Sequence, residues 1–354
     1  MAHAPEALAS PVDTPHQPKI GPRTKTPSTA SSSRQSSTRK RDRVLAGRIQ
    51  KQRRSISSPL INESLEDYDY DEGSSRLDEV ERELEADRYE EMMQEKALFP
   101  GSGEWAPDEE ELFRILFMRQ YSPLLPPHWS FDFRGIPVPD ILFSTSEVDE
   151  PVVYSWSGQD FRATKAVIRL IDLTTVVRAL VQTGQKAKIP ASIQKEVDQY
   201  LKWAAKDGGY DNIDILPNIF VEVVDVNLGG TGISNYMQSQ LRDLARSHRR
   251  FWIKRKKEAG GGDEEDETMA DAQEPNFTTQ PPVLYGLFIV NTTLLVLTID
   301  PTKGEDAQVS YQVEVNFNKK NQGVWNAMTV AIVGCQARND TIWRKQYYAG
   351  RLKG

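Results

Sequence analysis

The stretch 242–257 holds the densest group of side chains with the chemistry to bind an anion. Its arginines recur at a spacing that places them on overlapping faces of a predicted helix. Phe251 and Trp252 stand beside them, and cations next to aromatic rings suit phosphate contact combined with base stacking. The candidate nucleic-acid-binding residues are Arg242, Arg246, Arg249, Arg250, Lys254 and Arg255. The alternative is a solvated helix end whose cations suit the C-terminal helix dipole.

A glycine-rich turn at 229–232 follows the most apolar predicted strand and precedes a predicted helix. Free backbone N–H groups at a helix N-terminus can hold an anion, so a nucleotide or a methyl donor is one candidate ligand. The pattern also resembles the first motif of class I methyltransferases, an acid and then a glycine-rich turn after the first strand. Asn227 and Leu228 separate Asp225 from the glycines, and no acid ends a second strand about 20 residues later. A plain connection between strand and helix is therefore the preferred interpretation.

Other catalytic arrangements find little support in the residue types. The four histidines are dispersed, and no His or Cys pair has the spacing of a zinc site. Neither a nucleophile elbow nor a Walker loop is present. The only cysteine, Cys335, lies in an apolar helical stretch, where a core position is expected. One cysteine also excludes a disulfide scaffold, and no apolar run approaches the roughly 18 residues of a membrane-spanning helix.

Hydrophobic periodicity predicts the elements that would position these residues. Helices are expected at 109–120, 161–182, 190–206 and 234–252, and over an apolar stretch after Gly323. Strands are expected at 141–143, 151–156, 219–226 and 311–317, with a hairpin at 283–299. The nearly continuous apolarity of 219–226 predicts a central strand that is covered on both faces. The fold class is therefore α/β or α+β, with a mixed central sheet flanked by helices.

This order of elements resembles the PD-(D/E)XK, restriction-endonuclease-like fold over roughly half of the chain. The resemblance rests on Pro139-Asp140 at a predicted strand start and on Val221-Glu222-Val223-Val224 in the predicted central strand. It implies that Asp140 and Glu222 are ligands for Mg²⁺ and the catalytic acids of a metal-dependent nuclease. The family has a lysine two residues after the second acid, and this chain has Val224 there. The resemblance therefore also implies an inactive scaffold without a cofactor.

Composition predicts a disordered basic tail at residues 1–60, which are rich in Ser, Thr and Pro and lack periodic apolar residues. Two basic clusters about ten residues apart in this tail match a bipartite nuclear import signal. The residues of the signal are Arg39, Lys40, Arg41, Arg43, Lys51, Arg53 and Arg54. The alternative is a basic arm that binds nucleic acid without sequence specificity.

The sign of the charge reverses after the tail. Residues 61–104 are acidic, and the helical spacing of Leu77, Val80 and Leu84 predicts a solvated linker helix. The apolar stripe does not persist over the three or four heptads that a coiled coil needs. Residues 105–354 are expected to form a single α/β domain, interrupted at 258–280 by a disordered acidic insertion.

Charge and composition favour a protein that works through contacts with other molecules. The chain has 354 residues and a net charge of −7, from 44 Lys+Arg and 51 Asp+Glu. The import signal, the acidic segments and the incomplete catalytic set predict a nuclear, non-catalytic interaction or scaffold protein in a protein or chromatin-associated complex. Protein partners are expected, nucleic acid is a candidate partner of 242–257, and no membrane association is expected. The alternative function is the Mg²⁺-dependent nuclease.

Overall fold

The computed structural model describes residues 71–145, 150–259 and 280–348. They form a mixed four-stranded sheet with helices on both faces, which confirms the predicted α/β class. The helices are α1 (Asp71–Lys96), α2 (Pro107–Met118), α3 (Asp160–Gln182), α4 (Ile189–Asp207), α5 (Gly229–Ala259) and α6 (Gly323–Arg344). The strands are β1 (Ile219–Val223), β2 (Leu284–Val290), β3 (Thr293–Ile299) and β4 (Val309–Asn316). The predicted disordered tail at 1–60 and residues 260–279 of the predicted insertion lie outside the described residues.

Within the sheet the strands follow their order along the chain, β1-β2-β3-β4. β1 runs parallel to β2, and α5 makes the crossover between them. A two-residue turn joins β2 to the antiparallel β3, and Asn291 takes a φ of 55° in that turn, which asparagine tolerates. β4 pairs antiparallel with β3 at the far edge. The predicted hairpin at 283–299 is thereby confirmed.

Each face of the sheet buries its own set of side chains, because successive residues of a strand point in opposite directions. Tyr285, Leu287 and Ile289 of β2 join the main core with α2, α3, α4 and α6. Leu284 and Phe288 of the same strand face α5 in a smaller core. β2 is therefore buried on both faces, which agrees with its nearly continuous apolar sequence.

Helices α3 and α4 form within one residue of their predicted ends. Gly184 has a φ of 74° just after α3, and Pro190 occupies the first turn of α4. Both helices pack against α6, whose Arg338 forms a fully buried ion pair with Asp207 of α4, with Nη1 and Oδ2 2.7 Å apart. The pair ties the C-terminal end of α4 to the central helix. In the described part of the chain, no helix combines the length and the apolarity needed to cross a bilayer.

The short strands predicted at 141–143 and 151–156 are absent from the described structure. The first is a 3₁₀ turn after Pro139, and the second is a series of turns. Leu142 and Val153 are fully buried as single anchors, and Val153 N donates to Leu124 O at 2.9 Å. A short apolar run does not distinguish a strand from an anchored loop, which explains the error.

The prediction of a central strand at 219–226 is wrong in two respects. β1 ends at Val223, and a 3₁₀ turn follows before α5 begins at Gly229, ahead of the expected Ser234. Among the described residues β1 is also an edge strand, because no strand there other than β2 pairs with it. Its apolar sequence reflects the helices that cover its two faces. Burial of the faces does not determine whether a strand has one hydrogen-bonded neighbour or two.

The acidic segment contains α1, and one edge of this helix is docked. Met92 is buried against Trp105 and Phe113, in a small cluster separate from the main core. Lys96 pairs with Glu110 of α2. The guanidinium of Arg88 lies 4.4 Å from the centre of the Tyr121 ring. Among the described side chains of α1, the buried Met92 and the contacts of Arg88 and Lys96 hold the helix against its neighbours.

Candidate functional site

A groove of about 360 Å³ lies beside β1, between this strand, α4 and the segment 210–218. This volume falls within the range of ligand-binding pockets. Apolar side chains from all three parts form most of its lining, and charged side chains from α4 and the segment stand among them. The lining residues are Asp198, Leu201, Lys202, Ala205, Tyr210, Asp211, Ile213, Ile215, Pro217, Asn218, Ile219, Phe220, Val221 and Thr341.

The backbone of β1 offers unused hydrogen-bonding groups at this edge of the sheet. Asn218 O accepts a hydrogen bond from Tyr285 N at 2.8 Å, and Val224 N donates to Ile289 O at 2.9 Å. In a parallel pair both polar groups of one residue point to the same side, so even-numbered residues face β2 and odd-numbered residues face outward. The outward-facing residues are Ile219, Val221 and Val223. Among the described residues, no hydrogen bond satisfies their N–H and C=O groups.

Asn218 fixes the start of β1 at one end of the groove. Its Nδ2 donates to Ala337 O at 2.9 Å, and its Oδ1 accepts from the Thr341 hydroxyl at 3.2 Å. His248 of α5 donates from Nε2 to Pro217 O at 3.0 Å. Burial lowers the pKa of His248 to about 4, so the ring is neutral at pH 7. The entry to β1 is therefore held from α5 and from α6.

The wall of the groove comes from one turn and a half of α4. Leu201 and Ala205 are half-buried and line the groove, while the ammonium-bearing Lys202 is exposed at its rim. Asp198 lies one turn earlier on the same helix. An apolar groove with charges at the rim suits a chain whose side chains alternate between apolar and polar. The open strand edge supplies the matching main-chain contacts.

The two carboxylates implied as metal ligands lie on separate elements. Asp140 is exposed at the start of a 3₁₀ turn, and Glu222 lies on β1. The hydroxyl of Tyr236 on α5 donates to the Glu222 carboxylate, and this bond raises the pKa of Tyr236. Val224 is buried where the family has its lysine. Among the described residues, no group of three or more acidic, histidine or cysteine side chains that could hold a metal ion is found.

The basic helix predicted at 242–257 uses much of its charge within the chain. Arg249 is almost fully buried and pairs with Glu305 at 2.7 Å. Arg246 pairs with the same carboxylate at 3.4 Å and with Asp243 at 2.6 Å. The hydrogen bond from Arg249 is the main reason that the pKa of Glu305 is lowered. Arg250 is the exposed cation of this set, and Arg242 is half-buried.

The aromatic residues beside these arginines are also occupied. The ring of Phe251 stacks on Tyr348, with centroids 5.0 Å apart and planes at 13°. Trp252 is buried and meets Tyr347 edge to face. Neither ring is presented for stacking on a base.

The turn at 229–232 is the first turn of α5. Gly229 has a φ of 69°, which the change from 3₁₀ turn to helix requires. Asp225 accepts a hydrogen bond from Asn227 N at 2.9 Å and so caps the preceding 3₁₀ turn. These roles agree with a plain connection between strand and helix.

Two groups of predicted site residues lie outside the described part of the chain. The first comprises the import residues Arg39, Lys40, Arg41, Arg43, Lys51, Arg53 and Arg54. The second comprises the side chains of Lys254 and Arg255.

Sequence reasoning missed the groove, although one signal pointed to it. The two-residue turn after β2 commits one side of that strand to β3. β1 precedes β2 and is joined to it by a helical crossover, so it pairs with the side of β2 that β3 leaves free. With the remaining strand paired to β3, β1 is left at an edge.

No family model, curated protein or solved structure matches this chain.

Proposed function

We propose that this protein is a non-catalytic interaction protein of the nucleus, which binds an extended segment of a partner protein in the groove beside β1. The observation that carries the proposal is the open edge of β1, whose outward N–H and C=O groups border an apolar groove. Main-chain hydrogen bonds to such an edge give affinity, and pockets for alternate side chains give specificity.

The edge is complementary to another strand. A segment laid beside β1 receives hydrogen bonds from, and donates them to, Ile219, Val221 and Val223. β1 has five residues, so a partner segment of about five or six residues is enough to pair along its length. The hydrogen bonds involve only main-chain atoms of the partner and therefore require an extended conformation but no particular side chain.

The side chains of the partner segment then face two environments. Those directed toward α4 meet Leu201, Ala205 and Ile213, which favour apolar groups of moderate size. Those directed away from the groove remain near solvent and near the rim residue Lys202. The groove therefore selects a segment with an apolar residue at alternate positions.

The opposite edge of the sheet, at β4, has side-chain neighbours but, among the described residues, no comparable groove. The ring of Phe99 stacks on Tyr311 of β4, with centroids 5.9 Å apart. Gln308 Nε2 donates to Pro100 O at 2.8 Å, just before β4 begins. Uncovered edges pair with other chains, and proteins commonly protect them. The described residues form no backbone hydrogen bond along the outer edge of β4 either, so the apolar groove is what distinguishes the edge at β1.

Site-specific photo-crosslinking in the cells that make the protein tests this proposal. A benzoylphenylalanine in place of Lys202 should crosslink to one partner protein, at an extended segment with alternating apolar residues. Ala205→Trp fills the groove and should abolish the crosslink. Lys206→Trp adds the same ring one residue further along α4, outside the groove lining, and should preserve it.

Three outcomes would overturn the proposal. A crosslink that survives Ala205→Trp is not formed in the groove. A crosslink to residues 1–70 of the same chain makes the groove a site for its own tail. A probe at Arg250 of α5 that captures the same protein equally well shows contact without selection by the groove.

The nuclear part of the proposal is supported by the two basic clusters of the tail. The buried Val224, at the position where the resembled family has its lysine, supports the non-catalytic part. Both parts are open to direct measurement, the first by localisation of the full chain.

A further inference from the structure

Two aromatic rings are held in solvent by rigid neighbours, on a surface away from β1. The side chain of Phe131 is 64% exposed, although Trp129 and Phe133 on either side of it are buried. Phe161, in the first turn of α3, is 71% exposed, and Ala163 and Thr164 just after it are buried. The backbone at both positions is therefore anchored in the core while the rings stand free.

Hydrogen bonds join the two parts of the chain that carry these rings. The hydroxyl of Thr164 on α3 donates to Asp132 Oδ2 at 2.8 Å. His128 Nε2 lies 3.0 Å from Asp160 Oδ2, at the start of α3. The turn at 127–134 is thus fixed against the N-terminal end of α3, and each ring is one residue from an aspartate of these two contacts.

Cations surround the two rings. The guanidinium of Arg134 lies 4.6 Å from the centre of the Phe131 ring. Arg162 and Lys165 are exposed on the first turns of α3, next to Phe161. In the described part of the chain, none of these three cations forms an ion pair. Two carboxylates lie in the same region, Asp132 bonded to Thr164 and Asp160 to His128, so three cations and two carboxylates share this surface. We name the set Phe131, Arg134, Phe161, Arg162 and Lys165 the aromatic–basic face.

We infer that the aromatic–basic face binds single-stranded nucleic acid. Every base has a π-face that stacks on an aromatic ring, and the phosphates between bases are attracted to unpaired cations. An arginine stacked on a ring extends the same platform and adds a cation–π contact. The face combines unpaired cations with exposed rings, and Phe251 and Trp252 of α5 do not offer such rings.

The positive charge of the face selects among the surfaces that exposed rings can bind. A neutral apolar partner would gain nothing from three unpaired cations. An anionic membrane surface would satisfy the cations, and two phenylalanine rings could enter its interface. Nucleic acid uses both properties at once, because it alternates flat apolar rings with phosphates along one chain. Membrane binding is therefore the outcome against which the inference is tested.

Fluorescence anisotropy of the full chain with labelled oligouridine and oligothymidine of about 15 nucleotides measures the binding. The paired substitution Phe131→Ala and Phe161→Ala should weaken binding by about tenfold or more. The matched control, Leu98→Ala with Trp343→Ala, removes two exposed apolar side chains elsewhere and should leave the affinity unchanged. Arg162→Glu with Lys165→Glu should weaken binding and reduce its dependence on salt. Arg250→Glu removes the exposed cation of α5 and should have a much smaller effect.

The basic tail also attracts phosphate, so the place of binding is mapped separately. An oligonucleotide with 5-iodouridine is crosslinked to the full chain, and the modified peptides are identified by mass spectrometry. Adducts on Phe131 or Phe161 are expected. Adducts confined to residues 1–70 or 242–257, or an affinity that the double alanine variant does not change, would overturn the inference.

Vesicles provide the last discrimination. Phosphatidylserine vesicles that bind the wild type but not the double alanine variant, with no oligonucleotide binding to the face, would assign the face to a membrane surface. Binding to oligonucleotides that the vesicles do not displace is the expected result.

Discussion

His248 is buried and Asp340 is half-buried, and the pKa values of these two residues are displaced in opposite directions. Burial is the main reason that the pKa of His248 falls from 6.5 to about 4. Burial also raises the pKa of Asp340 from 3.8 to about 6, although its partner Arg344 opposes this rise. Both side chains therefore have pKa values displaced toward their uncharged forms, because His248 is fully buried and one oxygen of Asp340, Oδ2, is buried without a hydrogen-bond partner.

The two residues should give opposite pH dependences of stability. As the pH falls from 6.5 to 4, the unfolded His248 gains a proton and the folded one does not, so the free energy of unfolding decreases. Between pH 6 and 3.8 the folded Asp340 gains a proton and the unfolded one does not, so the free energy of unfolding increases. In the wild type these contributions should largely cancel near pH 5.

Substitution of each residue alone should reveal the contribution of the other. His248→Gln keeps an N–H donor for Pro217 O. Between neutral pH and pH 4.5, the free energy of unfolding of this variant should rise relative to that of the wild type. Over the same pH range, the free energy of unfolding of Asp340→Asn should fall relative to that of the wild type. Each difference should be about 2 kcal/mol, since one pKa unit corresponds to about 1.4 kcal/mol.

Urea denaturation at several pH values measures these differences. Other groups, such as Glu109 and Glu305, titrate alike in all three proteins, so the comparison is made with the wild type at each pH. Equal slopes for the wild type and both variants would contradict the prediction.

At the scale of elements, β1 should show its open edge in the exchange rates of its amides. The amides of Phe220 and Glu222 donate to β2, while those of Ile219, Val221 and Val223 point outward. Hydrogen exchange followed by NMR should therefore alternate along the strand, slow at the even positions and fast at the odd ones. Binding of a partner segment should slow the Val221 amide. Uniform protection in the free protein would show that the edge is already paired.

The contact between β2 and α5 sets a second prediction at this scale. A Cβ added to Gly286 would lie 2.5 Å from Cε2 of the Phe288 ring and 3.2 Å from Leu241, and both residues are fully buried. Gly286→Ala should therefore destabilise the protein by about 1–3 kcal/mol through overpacking. The control is Gly230→Ala in α5, where no atom lies within 4 Å of the added carbon.

Thermal or urea denaturation at one pH compares the two glycine variants. Gly230→Ala should leave stability unchanged or raise it by up to about 1 kcal/mol, since alanine favours a helix. A Gly286→Ala protein as stable as the wild type would show that α5 can move away from the sheet.

The predicted and observed elements agree where a long periodic pattern was available. The stripes at 161–182 and 190–206 extend over several turns, and the structure ends these helices within one residue of prediction. The runs at 141–143 and 151–156 were too short to carry a period, and both are anchored loops. Length of pattern, more than degree of apolarity, decided which predictions succeeded.

At the scale of the whole molecule, the protein combines a folded unit with a strongly basic N-terminal segment. The five substitutions Lys40→Ala, Arg41→Ala, Lys51→Ala, Arg53→Ala and Arg54→Ala remove most of the charge of the predicted import signal. In a fusion of the full chain to a fluorescent protein, they should shift the protein from nucleus to cytoplasm, because both basic clusters contribute to carrier binding.

Fluorescence microscopy gives the ratio of nuclear to cytoplasmic protein. The control replaces the exposed residues Lys186, Lys188 and Lys206 by alanine and should not change this ratio. An unchanged distribution of the five-residue variant would contradict the import proposal. It would leave the groove beside β1 and the aromatic–basic face untouched, since neither depends on the tail.

The sequence by itself determined the mixed α/β class, the two long helices, the β2–β3 hairpin and the core position of Cys335. These features follow from periodicity and turn chemistry, which act between residues close together in the chain. Only the tertiary structure decided that β1 lies at an edge, that Glu305 neutralises Arg246 and Arg249, and that Phe131 and Phe161 remain exposed. Each of these depends on which distant segment packs against a residue. A local apolar pattern predicts that a face is buried, but it does not identify the segment that buries it.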